Sequence, residues 1–340
     1  MKAAVFYKKG DLRIEDLPTP EIGNSDDVVI KVRACGICGT DMHIFDGDEG
    51  AAPTPCGTVL GHEFSGEVVA VGAAVHGVSV GDRVCVDPNK LCNNCDFCRE
   101  GIGHFCESMV GIGTTVHGGF AQYCVVPASQ VYKFDGDITY EMAAMCEPVA
   151  CCLHGIDMCD IIPGGTVAVI GGGMIGLLML QLAKLKGAAK LLLVEPVAEK
   201  RELAKKLGAD ITVDPTSQDI FAVLEQNGIS RISTVIECVG KTATMKQAIS
   251  IAGKKSTVMM FGLTRPSDEI EIKPFEIFKK EITLKASFIN PYTQKRALSL
   301  IDSKKIDVSS MVYKTISVDE LPAILGDKAK RAQGKYIVTF

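Results

Sequence analysis

The chain has 340 residues, 47 % of them apolar and 23 % charged, which is enough to bury a large core and fits about two domains. Its net charge of −5 and pI near 5.8 disfavour nucleic acid or an anionic membrane surface as the main partner. No internal repeat or low-complexity segment interrupts it.

The N-terminal stretch "MKAAVFYKKGDLRIEDLP" returns to charge too soon for a secretory h-region. A cytoplasmic, reducing location is therefore expected, with thiols free for metal rather than disulfides. Short alternating runs follow, among them "DVVIKVRA", "FSGEVVAVG", "DRVCVDP" and "FAQYCVVP". Many short strands with frequent turns predict an all-β, barrel-like module over 1–150.

Two motifs inside that module carry chemistry. "CGICGTDMHIFDG" (35–47) and "GHEFSGEVVAVG" (61–72) supply Cys38, His62 and Glu63. Thiolate, imidazole and carboxylate are the ligand mix of an open catalytic zinc site, and Glu147 in "MCEPVACCLHG" is a further candidate. Cys146 beside it could compete.

"CNNCDFCREGIGHFC" spaces Cys92, Cys95, Cys98 and Cys106 as C-x2-C-x2-C-x7-C. Four thiolates at this spacing can close a tetrahedron around one zinc, leaving no position for substrate. An iron–sulfur cluster is the rival, and the long last gap counts against it. The conspicuous site is thus structural, and the chemistry belongs to the scattered set.

From residue 151 the pattern lengthens into alternating strand and helix. Thr166 to Ala183 is uncharged, which invites a membrane span, but Gly171, Gly172, Gly173 and Gly176 interrupt it. Gly171-x-Gly173-x-x-Gly176 follows a β-branched run and opens a helix, the pattern that cradles a dinucleotide pyrophosphate. "KLLLVEP" then ends a second strand at Glu195, placed to accept the adenosine ribose hydroxyls and repel a 2′-phosphate. NAD is expected over NADP, although Lys200 and Arg201 keep NADP open.

These motifs, in this order, resemble the zinc-dependent medium-chain alcohol dehydrogenase family along essentially the whole chain. The resemblance implies a GroES-like zinc-binding catalytic domain over 1–150, completed by 289–340, and a doubly wound parallel-sheet Rossmann domain over 151–288. It implies two zinc ions per chain, a catalytic one on Cys38 and His62, with Glu63 and Glu147 binding it directly or through its water, and a structural one on the four-cysteine loop. Thr40 would take the alcohol proton and His43 would pass it on. Lys200 and Ile175 would line the NAD site, with Phe261, Gly262, Leu263 and Phe288 on the nicotinamide side.

Glu147 stands where alcohol dehydrogenases proper carry cysteine, which points to the polyol (sorbitol-like) branch. Ile289 and Asn290, where that branch usually has a basic residue nearby, put sorbitol itself in doubt. The expected reaction is reversible oxidation of a secondary alcohol, a polyol or vicinal diol. The alternatives are L-threonine 3-dehydrogenase chemistry and a non-catalytic zinc-loop interaction protein. The family also implies a homodimer or homotetramer.

Overall fold

The computed structural model describes residues 1–48 and 52–340. It divides into two compact units, Met1–Ala150 with Asn290–Phe340, and Cys151–Ile289.

In the first unit the ten-residue strand Asp27–Gly36 is the axis of a seven-stranded sheet. It pairs antiparallel with Glu63–Val71, with Tyr123–Pro127 and with the chain's last strand, Lys335–Thr339. Val28, Ile30 and Val32 point into a core shared with Phe64, Val68, Val84, Phe120 and Val338, alternate residues of a strand sharing one face. A helix, Gly39–Asp46, leaves the end of this axial strand and carries Thr40 and His43.

The second unit holds a six-stranded, all-parallel sheet. Its order is Ile211–Val213, Lys190–Val194, Thr166–Ile170, Thr234–Glu237, Thr257–Met260, Thr283–Ala286. Counted along the unit this is 3-2-1-4-5-6, the doubly wound Rossmann order, with its switch point beside Thr166–Ile170. The α/β expectation, a Rossmann sheet in one unit and a β-rich module in the other, holds. Strands buried on both faces must be continuously apolar, and Val167 to Ile170 and Leu191 to Val194 are all buried. The uncharged stretch is thus a strand plus the helix Met174–Leu185, whose residues Gly176 to Ala183 are all buried. No described helix is long and apolar enough to cross a membrane.

The first unit is closed by the returning segment at 290–294. Asn290 donates through Nδ2 to Asp87 Oδ1 (3.2 Å) and Gln294 Oε1 (3.3 Å), and accepts from Asn89 Nδ2 (2.6 Å). Thr293 Oγ1 donates to the Ala150 carbonyl (2.8 Å), and Gln294 Nε2 to that of Val86 (3.2 Å). Tyr292, at φ 59°, holds a left-handed conformation inside this turn. Such strain costs about 1–3 kcal/mol and persists only where surrounding bonds over-determine it.

Burial pushes the Asp87 carboxyl up to about 6, against the Asn89 N–H and the Asn290 amide. A carboxyl raised above its unfolded value of about 3.9 stabilises the fold below that value. The contribution is lost as pH rises through about 6. Asp87→Asn keeps the acceptor and removes the ionisation. Its urea midpoint is expected to gain on wild type between pH 5 and pH 7; parallel pH profiles would count against this account.

Candidate metal centres and dinucleotide site

Cys38 caps the helix Gly39–Asp46, and its backbone N–H donates to Asp41 Oδ2 (2.8 Å). That bond fixes a fully buried Asp41 in the first turn, with Oδ1 turned to His62 Nδ1 at 3.6 Å. Both atoms are buried without a hydrogen-bond partner, and a carboxylate standing behind one ring nitrogen favours a proton there and leaves the other nitrogen for a metal. Burial opposes protonation of His62, but Asp41 and Cys38 outweigh it and raise its pKa well above the imidazole range. Metal binding here must displace that proton.

Glu63 opens its strand one residue later, fully buried, with Oε2 on the Lys335 ammonium. Lys335 Nζ also donates to the Ile37 carbonyl (2.8 Å). Burial alone would lower the Lys335 pKa, yet Glu63, with Cys38 and Asp41, raises it. Removing one member of such a pair costs about 3–5 kcal/mol, because the other charge is left buried alone.

The ligand atoms of Cys38, His62 and Glu63 lie within 4.8 Å of one another. Glu63 Oε1 has no hydrogen-bond partner although it is buried. An orphaned carboxylate oxygen beside a thiol and an imidazole fits a zinc ion with a fourth position open. Glu147 is buried in the first turn of the helix Cys146–Asp157 and lies outside this 4.8 Å group. Cys146 Sγ instead donates to the Gln294 carbonyl (3.5 Å), and burial holds its thiol pKa well up. Thr40 Oγ1 lies 3.7 Å from Cys38 Sγ. His43 is half-buried, with Nδ1 3.4 Å from Asp48 Oδ2.

Cys92, Cys95, Cys98 and Cys106 form the other cluster within 4.8 Å, and none is in a disulfide. The loop turns through Asn93 at φ 57°. Backbone N–H groups of Asn94 (3.4 Å) and Cys95 (3.3 Å) point at Cys92 Sγ and pull its thiol down to about 6. That prepares a thiolate for metal.

In the second unit, Gly171 turns at φ 103° and Gly173 caps the helix Met174–Leu185 without a side-chain bond. A Cβ on Gly176 would run into the Gly171 carbonyl oxygen, so the helix packs on the turn only through glycine. Ile175 is half-buried in the first turn of that helix. Glu195 accepts from Gly172 N–H (2.6 Å) and Val197 N–H (2.9 Å), one per oxygen. Each oxygen retains a lone pair for a ribose hydroxyl. Arg201 is engaged with the Glu195 and Pro196 carbonyls (both 2.7 Å) and with Asp214 (3.3 Å). Lys200 is half-buried one turn into the next helix, Ala198–Lys206. Phe261 and Gly262 donate backbone N–H to the Glu237 carbonyl at the sheet's C-terminal edge, and Leu263 and Phe288 are exposed.

Asp41, Lys335 and Glu237 escape sequence reasoning. Asp41 lies inside the Cys38 motif at a helix N3 position, where a carboxylate reads as a cap. Lys335 shows only as a charge opening the apolar run 336–338. Glu237 Oε1 anchors the switch-point loop through Val239 N–H (2.8 Å) and Thr244 Oγ1 (2.7 Å).

Residues 24–136 match the family described as alcohol dehydrogenase GroES-like domain, and residues 175–303 match zinc-binding dehydrogenase. The chain belongs to the zinc-dependent medium-chain alcohol dehydrogenase family. It is 33 % identical to D-arabinitol dehydrogenase 1 of Uromyces fabae, over 97 % of this chain and 95 % of that one. It is 31 % identical to L-threonine 3-dehydrogenase of Alteromonas mediterranea, over 99 % of both. A zinc-binding dehydrogenase from Sinorhizobium meliloti 1021, solved bound to NADP, superposes with a TM-score of 0.95 at 38 % identity, covering 100 % and 99 % of the two chains.

Membership in this family makes the glycine turn directly testable. Gly176→Ala is expected to weaken NAD binding about tenfold or more, since overpacking of this kind costs about 1–3 kcal/mol. Isothermal titration checks it, with zinc content unchanged; unaltered affinity would refute the close-packing account.

Proposed function

We propose that the protein catalyses reversible, NAD-linked oxidation of a secondary alcohol, with a polyol or vicinal diol as substrate. One observation carries this reading: ligand atoms of Cys38, His62 and Glu63 converge within 4.8 Å, in a chain that also brings four cysteine sulfurs together. The similarity to D-arabinitol dehydrogenase 1 favours the polyol class, and the similarity to L-threonine 3-dehydrogenase keeps amino-alcohol oxidation as the second reading.

When bound, the zinc supplies Lewis acidity at the substrate oxygen and the nicotinamide supplies the hydride acceptor. Cys38, His62 and Glu63 hold the ion, with Glu147 in reserve from its own helix. Asp41 keeps the His62 ring oriented. Thr40, two residues from Cys38, takes the alcohol proton, and His43 passes it outward with Asp48 as its neighbour. Glu195 binds the adenosine ribose and disfavours a 2′-phosphate; Arg201, already bonded to Asp214 and two carbonyls, is poorly placed to offset that. Cys92, Cys95, Cys98 and Cys106 hold the second ion and take no part in turnover.

A cytoplasmic location accords with fourteen free thiols. Self-association accords with the second unit's open sheet edge. Thr283–Ala286 pairs on one side only, and Phe275 and Phe278 nearby in sequence are 67 % and 79 % exposed.

Cys38→Ser is expected to abolish turnover and lower zinc from about two ions per chain to about one while the protein stays folded. Metal analysis and a screen of polyols, 2,3-butanediol and threonine with NAD and NADP check this; full activity in the variant would sink the reading. Phe278→Glu is expected to shift a sedimenting oligomer toward monomer. A wild-type protein that sediments as a monomer would rule self-association out.

A further inference from the structure

Three strands meet at Gly36, and none of the motif residues explains why it is glycine. Strand register pairs Gly36 with Glu63 on one side and with Ile337 on the other, two residues beyond Lys335. A Cβ at Gly36 would land on Glu63 Oε2 and stand 2.8 Å from Lys335 Cε and 3.0 Å from Nζ. The missing side chain is therefore the slot in which carboxylate and ammonium meet. Both are sealed from solvent, at 0 % and 2 % side-chain exposure. The ammonium is anchored from behind by the Ile37 carbonyl, on the residue that precedes Cys38.

The two oxygens of Glu63 thus have different fates. Oε2 is taken by Lys335, while Oε1 is unpartnered. We propose that Lys335 is a positioning residue of the Cys38–His62–Glu63 centre, restricting Glu63 to a single oxygen at the metal and balancing its charge. The proposal rests on the reading that these three residues hold zinc. Without Lys335, Glu63 Oε2 is left without its partner in a buried site close to the Asp41 carboxylate and Cys38. Glu63 then turns both oxygens to the ion, which is bound more tightly, has its open position filled and is a weaker Lewis acid.

The test uses the zinc-loaded and the cobalt-substituted protein. Lys335→Met is expected to lower the intensity of the cobalt visible bands, as coordination number rises, and to slow zinc release to a chelator by about tenfold, the lower end of what outer-shell partners are worth. Lys335→Arg, which keeps the charge, is expected to restore the wild-type spectrum and rate. Against Glu63→Gln alone, Lys335→Met/Glu63→Gln is expected to show no slowing, because no carboxylate is left to release; a lysine acting otherwise than through Glu63 would slow release in both backgrounds. Gly36→Ala drives a methyl between the charges and is expected to shift the spectrum in the same direction, which serves if the Met variant does not fold. Wild-type spectra and release rates in both Lys335→Met and Gly36→Ala overturn the proposal. A wild-type protein whose metal content is unchanged by Cys38→Ser overturns the underlying zinc reading instead.

Discussion

The buried ion pair between Glu63 and Lys335 ties the chain's last strand to the strand that follows the His62 loop. Each charge is costly away from water, and neither could stay there alone. Their meeting requires Gly36 to lack a side chain, Lys335 to open the strand Lys335–Thr339, and that strand to lie beside Asp27–Gly36. Residues 272 positions apart in the chain thereby define one wall of the candidate metal centre. The support behind His62 is more local: Asp41 is held by the Cys38 N–H and faces His62.

The two cysteine-containing clusters differ in how they are built. The four-cysteine loop takes its ligands from fifteen consecutive residues and stabilises them with its own backbone N–H groups, so it needs little from the rest of the fold. The other cluster draws on a helix cap, a loop residue and the start of a strand, with Asp41 behind His62 and Lys335 on Glu63. Local assembly suits a closed, inert site. Assembly from separate elements leaves an open coordination position and surroundings that tune the ion.

The dinucleotide site follows the same division. Gly171 and Gly176 are legible in sequence because the left-handed turn and the close helix packing admit only glycine, and Gly173 because its spacing completes the motif. Glu195 is legible from its strand-end register. That both its oxygens also brace the Gly172 and Val197 backbone is visible only once the strands are paired. Glu237 bracing the neighbouring loop carried no signal, since a carboxylate at a strand end reads equally well as a solvated charge.

What the amino-acid order determined by itself was the alternation of short strands followed by βα units, the four-thiolate loop, the glycine turn and the residue types of the open metal cluster. These are readable because local geometry and ligand chemistry demand particular residues at particular spacings. Which side chains stand behind the ligands was decided by tertiary structure alone. The approach of Asp41 to His62, the Glu63–Lys335 pair and the Asp87–Asn290 network act through burial and strand register, and neither exists until distant segments pack together.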